Sequence, residues 1–478
     1  MLKRIAIGCW LLTIGCQSLM ADNQRVSYAS PVDYQITLAG NFGEPRPNHF
    51  HGGIDVKTDN VEGKHIYSIG DGYVSRLTVG VSGFGNAVYV THPEGYTSIY
   101  CHLKRFAPKL ERMIDRQAAK GEPIDVHFTP LDFPVAQGQL IALSGNTGHS
   151  TGPHLHLEIH DTKTWDMMDP LDFLTGCIID SVPPQAHSFM ACPVSGKGVF
   201  NGGSSKQTFS FGAPPDSARF RYSSRLDQSF SAWGKVGFAL WADDYMQGVY
   251  NHYGIRETIL LVDGQEVFYS NVSRIPVNST RQVNSWGDYD HWQHHKTWYM
   301  RSYIPKGVTL PILRGVDRGI VDFNEERPYQ ITYILRDFMG NEARYDFTVQ
   351  GVKTPINPIN PIPYNVHYDR LSLISLPGMQ LTIPARMVEE GLLIQPKVEE
   401  GRISRRYTFA QQACPLFGWV ELSIAVPRGM DPSKLYIDGG GRDMGGTYED
   451  GWMTTRIREL GVTYELKLKE KKDKKDKS

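Results

Sequence analysis

The chain has 478 residues, with 50 Lys and Arg against 51 Asp and Glu and a formal net charge of -1. That length suits roughly two to four domains, and the balanced charge excludes the strong basic excess of a typical nucleic-acid binder. Aromatic residues make up 11%, and Gly and Pro are spread along the whole chain, which favours short strands joined by tight turns over long helices.

The first residues read as an export signal. Lys3 and Arg4 precede an apolar stretch over residues 5–14, too short to span a bilayer as a helix. A leader over residues 1–21, cut after Ala21, is expected, with the mature protein in the periplasm or cell envelope. The alternative is lipidation at Cys16, where Thr-Ile-Gly-Cys loosely resembles a lipoprotein box with a weak residue at Thr13. No other segment is apolar enough to suggest a membrane span. Of the six cysteines, Cys9 and Cys16 fall in the leader. Cys101, Cys177, Cys192 and Cys414 remain, and Cys177 with Cys192 is the plausible disulfide on sequence proximity alone. With no CxxC, a thiolate zinc site is not indicated.

A first domain is expected over residues 34–176. Its segment 72–103 reads as three strands. Within YTSIYCHL (96–103), alternation puts Ile99, Cys101 and Leu103 on one face and Ser98, Tyr100 and His102 on the other. Residues 107–120 read as a helix, with Pro108 in its first turn, an apolar stripe of Leu110, Met113 and Ile114, and Gly121 at its end. A short strand over 140–144 leads into the Gly-rich loop SGNTGHSTG. Residues 181–352 read as aromatic-rich strands forming an Ig-like β-sandwich. The Pro-punctuated stretch 353–363 (TPINPINPIP) is a linker, residues 364–468 a second β domain, and 469–478 a solvated, disordered Lys/Asp tail. The fold class is therefore mainly β.

The chemistry concentrates in PHLHLEIHD (153–161). On a strand, Leu155, Leu157 and Ile159 share one face, and His154, His156, Glu158 and His160 share the other. A row of imidazoles and a carboxylate on a rigid strand presents nitrogen ligands or proton carriers well, although a bare HxH is more often a solvated face. HGGID (51–55) adds an imidazole and a carboxylate, with two glycines allowing a tight backbone path. His51, Asp55 and one imidazole of the HxH strand would make a three-ligand zinc site with an open position. His102, on its strand's non-core face, could point into the same cleft. No HExxH is present, so a helix-borne glutamate base is not indicated.

HFHGGID, then YCHL, then SGNTGHSTGPHLHLE resemble the lysostaphin/LytM-type zinc endopeptidases of metallopeptidase family twenty-three, in the same order and over about 140 residues. The resemblance implies an antiparallel-sheet peptidase domain, here with a helical insertion, followed by two β-sandwich-like domains. It implies one Zn2+ per chain held by His51, Asp55 and His156, with His102 and His154 acting in catalysis. The implied activity is cleavage of peptide cross-links in bacterial peptidoglycan, with stem peptides as partner. Glu158 is a candidate partner for an imidazole, and His149, Asn146 and Arg46 are candidates beside the metal or substrate. His49 is the rival ligand, but it lacks an Asp four residues on. His160 lies one step too far to share the metal, and His291, His294 and His295 (DHWQHH) read as a polar loop. The helical insertion departs from the family pattern and leaves specificity open. The short distance from leader to peptidase domain predicts no propeptide-type latency unless the C-terminal domains cover the cleft.

Two other function classes compete. One is a catalytically silent envelope regulator on the same fold, which would have lost ligands that this sequence keeps. The other is a wall-binding adhesion protein acting through its β domains, which also offer surface for a protein partner.

Overall fold

The computed structural model describes residues 26–469 apart from 81, 120–123, 212–225, 227, 361–362 and 411–414. The expected leader with Cys9 and Cys16, Gly121 as helix end, Cys414 and the charged tail beyond Lys469 lie outside the described residues. Among the described residues, no helix is long and apolar enough to cross a membrane.

The first lobe is built on strands β1 (Leu38–Gly40), β2 (Ile54–Lys57), β3 (Gly72–Thr78), β4 (Ala87–Thr91), β5 (Tyr96–Cys101), β6 (Asp125–His127) and β7 (His154–Asp161). They lie in the order β1-β2-β7-β5-β4-β3-β6, each neighbour antiparallel. The alternation of β7 is realised: Leu155, Leu157 and Ile159 are fully buried with Val74, Val88 and Tyr100 in one core. Helix α1 (Pro108–Ala119) is inserted between β5 and β6. Leu110 and Ile114 seat it on that core, and the Glu111 carboxylate accepts the Phe106 N–H at 2.8 Å.

The faces of β5 are reversed from the sequence expectation. Tyr100 and Leu103 enter the main core, while Ile99 and Cys101 join Ala87 and Tyr89 in a small cluster on the opposite side. The strand ends at Cys101, because His102 adopts a left-handed backbone (φ 59°) that strict alternation does not allow.

The second lobe is centred on β8 (Gln185–Phe200) and β9 (Phe230–Tyr245), followed by β10 (Pro328–Arg336) and β11 (Glu342–Gly351). The domain is β-rich as the sequence indicates, and hydrogen bonds join its strands into one continuous sheet, because β9 pairs antiparallel with β8 and runs parallel to the end of β11. A register shift between Pro193 and Gly198 interrupts the β8–β9 ladder, a device that lets long strands bend around a core. That core is rich in Phe, with the Phe189 and Phe347 rings stacked 4.1 Å apart. The DHWQHH segment is a short helix, Tyr289–His295, capped by the Asp288 carboxylate on His291 N–H, rather than a loop. Cys177 and Cys192 are free. Cys177 packs against the first-lobe core and Cys192 lies among Met190, Ala239 and Tyr299 in the second lobe, so nearness in sequence does not bring them together.

Residues 353–360 carry no helix or strand. Beyond them, two five-stranded sheets enclose a third core of residues such as Leu381, Leu422, Ile437 and Leu466. Arg301 of the second lobe reaches Glu389 of this third unit at 2.8 Å.

The first two lobes share side chains. Phe42, Phe50 and Met167 sit in the second-lobe core, while Met246 and Tyr253 sit in the first-lobe core. Met167–Met168 also pairs with the strand Arg274–Ile275, and Arg256 forms ion pairs with Asp169 and Asp172.

Candidate metal centre

The segment leading to His51 is held from both sides. Its Phe50 N–H donates to Thr280 Oγ1 at 2.9 Å, and its Asn48 N–H donates to Asn284 Oδ1 at 2.9 Å. The two glycines that follow are demanded by close approach. A Cβ on Gly53 would lie 2.1 Å from the Leu157 carbonyl oxygen, and one on Gly52 would lie 2.6 Å from Glu158 Oε1. Any other residue would push the chain away from β7. β2 then pairs with β7, placing Asp55 directly opposite His156.

Three atoms converge at this point. His51 Nε2 lies 3.1 Å from Asp55 Oδ1 and 3.0 Å from His156 Nδ1, and His156 Nδ1 lies 2.8 Å from Asp55 Oδ1. All three residues are buried. The outer nitrogen of each imidazole is committed elsewhere: His51 Nδ1–H donates to the Asn41 carbonyl at 2.6 Å, and His156 Nε2–H donates to Glu158 Oε1 at 2.9 Å. With the outer nitrogens so engaged, the inner nitrogens are the ones left to give lone pairs to an ion, which would displace the proton that His156 Nδ1 shares with Asp55. Two imidazoles and a carboxylate with converging lone pairs are the donor set of an open zinc site, and they are a group fit to hold an ion.

The electrostatics follow from the packing. Burial opposes ionisation of Asp55, yet His51, His154 and His156 hold its carboxyl well below the usual carboxylate range. Burial also opposes charge on His156, but Asp55 and Glu158 overcome it and raise its pKa to about 9. Burial likewise works against ionised Glu158, and His156 and His160 outweigh it and hold this carboxyl low. For His102, burial together with the neighbouring His156 and His154 outweighs the raising effect of the Thr147 carbonyl and of Asp55 and takes its pKa down to about 4.

His102 and His154 flank the cluster, their rings 4.9 Å apart. The left-handed turn at His102 aims its ring at the cleft, with Nδ1–H donating to the Thr147 carbonyl at 2.8 Å. His154 matches it, with Nδ1–H donating to Gly152 O at 2.8 Å and Nε2 lying 3.4 Å from Asp55 Oδ1. Both leave Nε2 unengaged by the backbone. The site opens into a cleft of roughly 1270 Å³ lined by His149, Arg46, Phe84 and, from the second lobe, Tyr250 and Thr280. Arg46 reaches Asp55 Oδ2 at 3.2 Å.

Other sequence-derived candidates fall differently. Asn146 is exposed in its loop and does not line the cleft. His49 is exposed, with its Nδ1 on the Pro47 carbonyl. His160 stays off the converging atoms and donates to Glu158 Oε2 at 2.6 Å. The Asn41 carbonyl behind His51 carries no sequence signal. The contribution of Thr280 and Tyr250 also escapes sequence reasoning, because they come from a different domain.

Residues 49–124 match the model of peptidase family M23, and residues 363–468 match a Zu5-like domain. The chain thus carries an M23-type peptidase domain and a C-terminal Zu5-like domain. The peptidoglycan DD-endopeptidase ShyA of Vibrio cholerae is 34% identical over 143 residues, covering 28% of this chain and 27% of that protein. The DD-carboxypeptidase/endopeptidase Mpg of Neisseria gonorrhoeae is 32% identical over 108 residues, covering 23% and 19%. A solved zinc-containing peptidase from Vibrio cholerae is 28% identical, covering 28% of this chain and 37% of that chain, with a TM-score of 0.21. These matches span between 19% and 27% of the first curated relatives' lengths.

Proposed function

We propose that this chain is a zinc-dependent endopeptidase that hydrolyses peptide cross-links of peptidoglycan in the cell envelope. The observation that carries this reading is the convergence of His51 Nε2, Asp55 Oδ1 and His156 Nδ1 beside two further imidazoles in an open cleft. The peptidoglycan DD-endopeptidase and the DD-carboxypeptidase/endopeptidase named among the relatives support a peptide bond of this kind as the substrate.

His51, Asp55 and His156 would hold the ion. Zinc bound there supplies Lewis acidity, polarising a carbonyl and making water nucleophilic near neutral pH. His102, kept neutral by burial, offers its Nε2 lone pair to take a proton from the attacking water. His154, held by Gly152, presents its Nε2 to the same water and is the alternative acceptor of the one proton the water gives up. The single imidazolium so formed stabilises negative charge on the carbonyl oxygen and then returns that proton to the leaving amine. Glu158 keeps His156 in the tautomer whose Nδ1 faces the metal. Arg46 balances the charge of Asp55 from outside.

The test is digestion of defined cross-linked muropeptides with zinc content measured in parallel. His156→Ala should lose metal and cleavage together, whereas His102→Ala should lose cleavage and keep most of its metal. Wild-type rates in both variants would defeat the assignment. Zinc-loaded protein that leaves muropeptides intact would shift the reading to a regulator of other hydrolases.

A further inference from the structure

A second set of ligand-type side chains meets at the junction of the first two lobes. Asp180 lies in the segment joining them, Asp244 near the end of β9, and Asp337 in the turn between β10 and β11. Each offers a carboxylate oxygen, and these oxygens all lie within 4.8 Å of one another. The three residues are 6%, 2% and 4% exposed. Buried carboxylates this close repel one another and have given up their hydration, so something must offset the charge.

The surroundings offset only part of it. Both oxygens of Asp337 accept from Asn341, one from its N–H at 2.8 Å and one from its side-chain amide at 2.7 Å. Asp180 Oδ1 accepts the Val182 N–H at 3.0 Å. Asp180 Oδ2 and Asp244 Oδ1 are buried and, among the described residues, receive no hydrogen bond from outside the three carboxyls, and burial with the neighbouring Asp337 carboxyl pushes Asp180 up. Among the described residues, no Lys, Arg or His is ion-paired with any of the three, whereas the buried Asp169 has Arg256. Burial and the neighbouring carboxylates push the Asp244 carboxyl up to about 8. An unpartnered, almost fully buried carboxylate oxygen aimed among other carboxylates is what a bound cation would satisfy.

We propose that Asp180, Asp244 and Asp337 form a divalent-cation site, separate from the peptidase centre, that takes calcium and fastens the peptidase lobe to the second lobe. The donor chemistry selects the ion. Carboxylate oxygens without an imidazole or thiolate suit a hard cation. Calcium accepts about six to eight oxygens at 2.3–2.6 Å in irregular geometry, with backbone carbonyls and water completing the shell, whereas magnesium demands a tighter octahedron.

The site braces the catalytic cleft at a distance. The chain leaving Asp244 packs Met246 and Tyr253 into the first-lobe core. Tyr253 O–H donates to the Leu38 carbonyl at 2.9 Å, and Asn41 exchanges two hydrogen bonds with Gly254. The Asn41 carbonyl in turn receives His51 Nδ1–H. A cation at Asp244 therefore steadies the segment that orients His51.

The experiment uses the full chain, stripped of divalent ions and reloaded with one equivalent of zinc, into which calcium chloride is titrated. Calorimetry should show one calcium per chain in addition to zinc, and the thermal midpoint should rise by several degrees. Asp244→Asn and Asp337→Asn should abolish both effects. Without calcium, Asp244→Asn should melt no lower than wild type near neutral pH, since burial and its neighbours already keep that carboxyl mostly protonated and Asn is its neutral isostere, and this separates loss of a site from failure to fold. His156→Ala should lose zinc and keep the calcium response. No calcium heat and no midpoint shift in wild type, an unchanged response in Asp244→Asn, or an equal response to magnesium at the same concentration would each overturn the proposal.

Discussion

The two buried clusters make an instructive pair. Around His51, Asp55 and His156, one carboxylate sits among imidazoles with Arg46 behind it, and each outer nitrogen is tied to a backbone or carboxylate oxygen. Around Asp180, Asp244 and Asp337, three carboxylates meet with no ion-paired cation among the described residues, and two oxygens lack partners outside the three carboxyls. The first cluster is a self-consistent network in which protons can hold the ligands in place until an ion displaces them. The second has no such internal balance. Burying ligands thus has two solutions, one neutralised by the protein's own side chains and one that calls for a positive ion, and the mix of nitrogen and oxygen donors separates them.

The comparison can be broken or sharpened by substitution. The largest effect is expected from His156→Ala, which should remove zinc and lower cleavage by more than about 10⁴-fold, while the calcium-dependent midpoint stays. Zinc assay and muropeptide digestion check this together. His102→Ala should keep zinc and lose about 10²–10³-fold in rate, the range of a positioned acid–base group, read as kcat at saturating substrate. Glu158→Gln leaves a ligand in place but removes the charge that holds it, and should weaken zinc binding by about 10–100-fold in a competition titration. Gly53→Ala touches no donor, yet its Cβ would meet the Leu157 carbonyl. It should destabilise the first lobe by about 1–3 kcal/mol, measured by chemical unfolding. The smallest effect belongs to Asp180→Asn, which should shift only the calcium-dependent part of the thermal midpoint and leave zinc content and rate near wild type in calcium-free buffer.

Much of the first cluster was legible because its residues lie in short, periodic or glycine-marked stretches. HLHLEIH declares which side chains share a face, and HGGID announces a close backbone approach that the Gly53–Leu157 contact explains. Alternation held within Tyr96–Cys101 but could not say which face meets the main core, and it ends at the left-handed His102, so that Leu103 joins the core of Tyr100 and not the cluster of Ile99 and Cys101. Proximity failed for Cys177 and Cys192, which belong to different cores. The single continuous sheet of the second lobe was hidden because a parallel pairing between residues far apart in sequence, Phe230 and Val349, leaves no local pattern. The aspartate cluster was hidden for the same reason: Asp180, Asp244 and Asp337 each look like an ordinary loop or strand-end carboxylate until the fold stacks three distant segments.

The sharing of Phe42, Phe50 and Met167 with the second-lobe core has a practical consequence for anyone who would trim this protein. Excising the peptidase lobe alone would strand Phe50 in water, one residue from His51, and unzip the seam in which Met167 pairs with Ile275 and Met168 with Arg274. The smallest unit that preserves the geometry around His51 therefore extends through the end of the second lobe, and a shorter fragment should be expected to report on a distorted centre rather than on the native one.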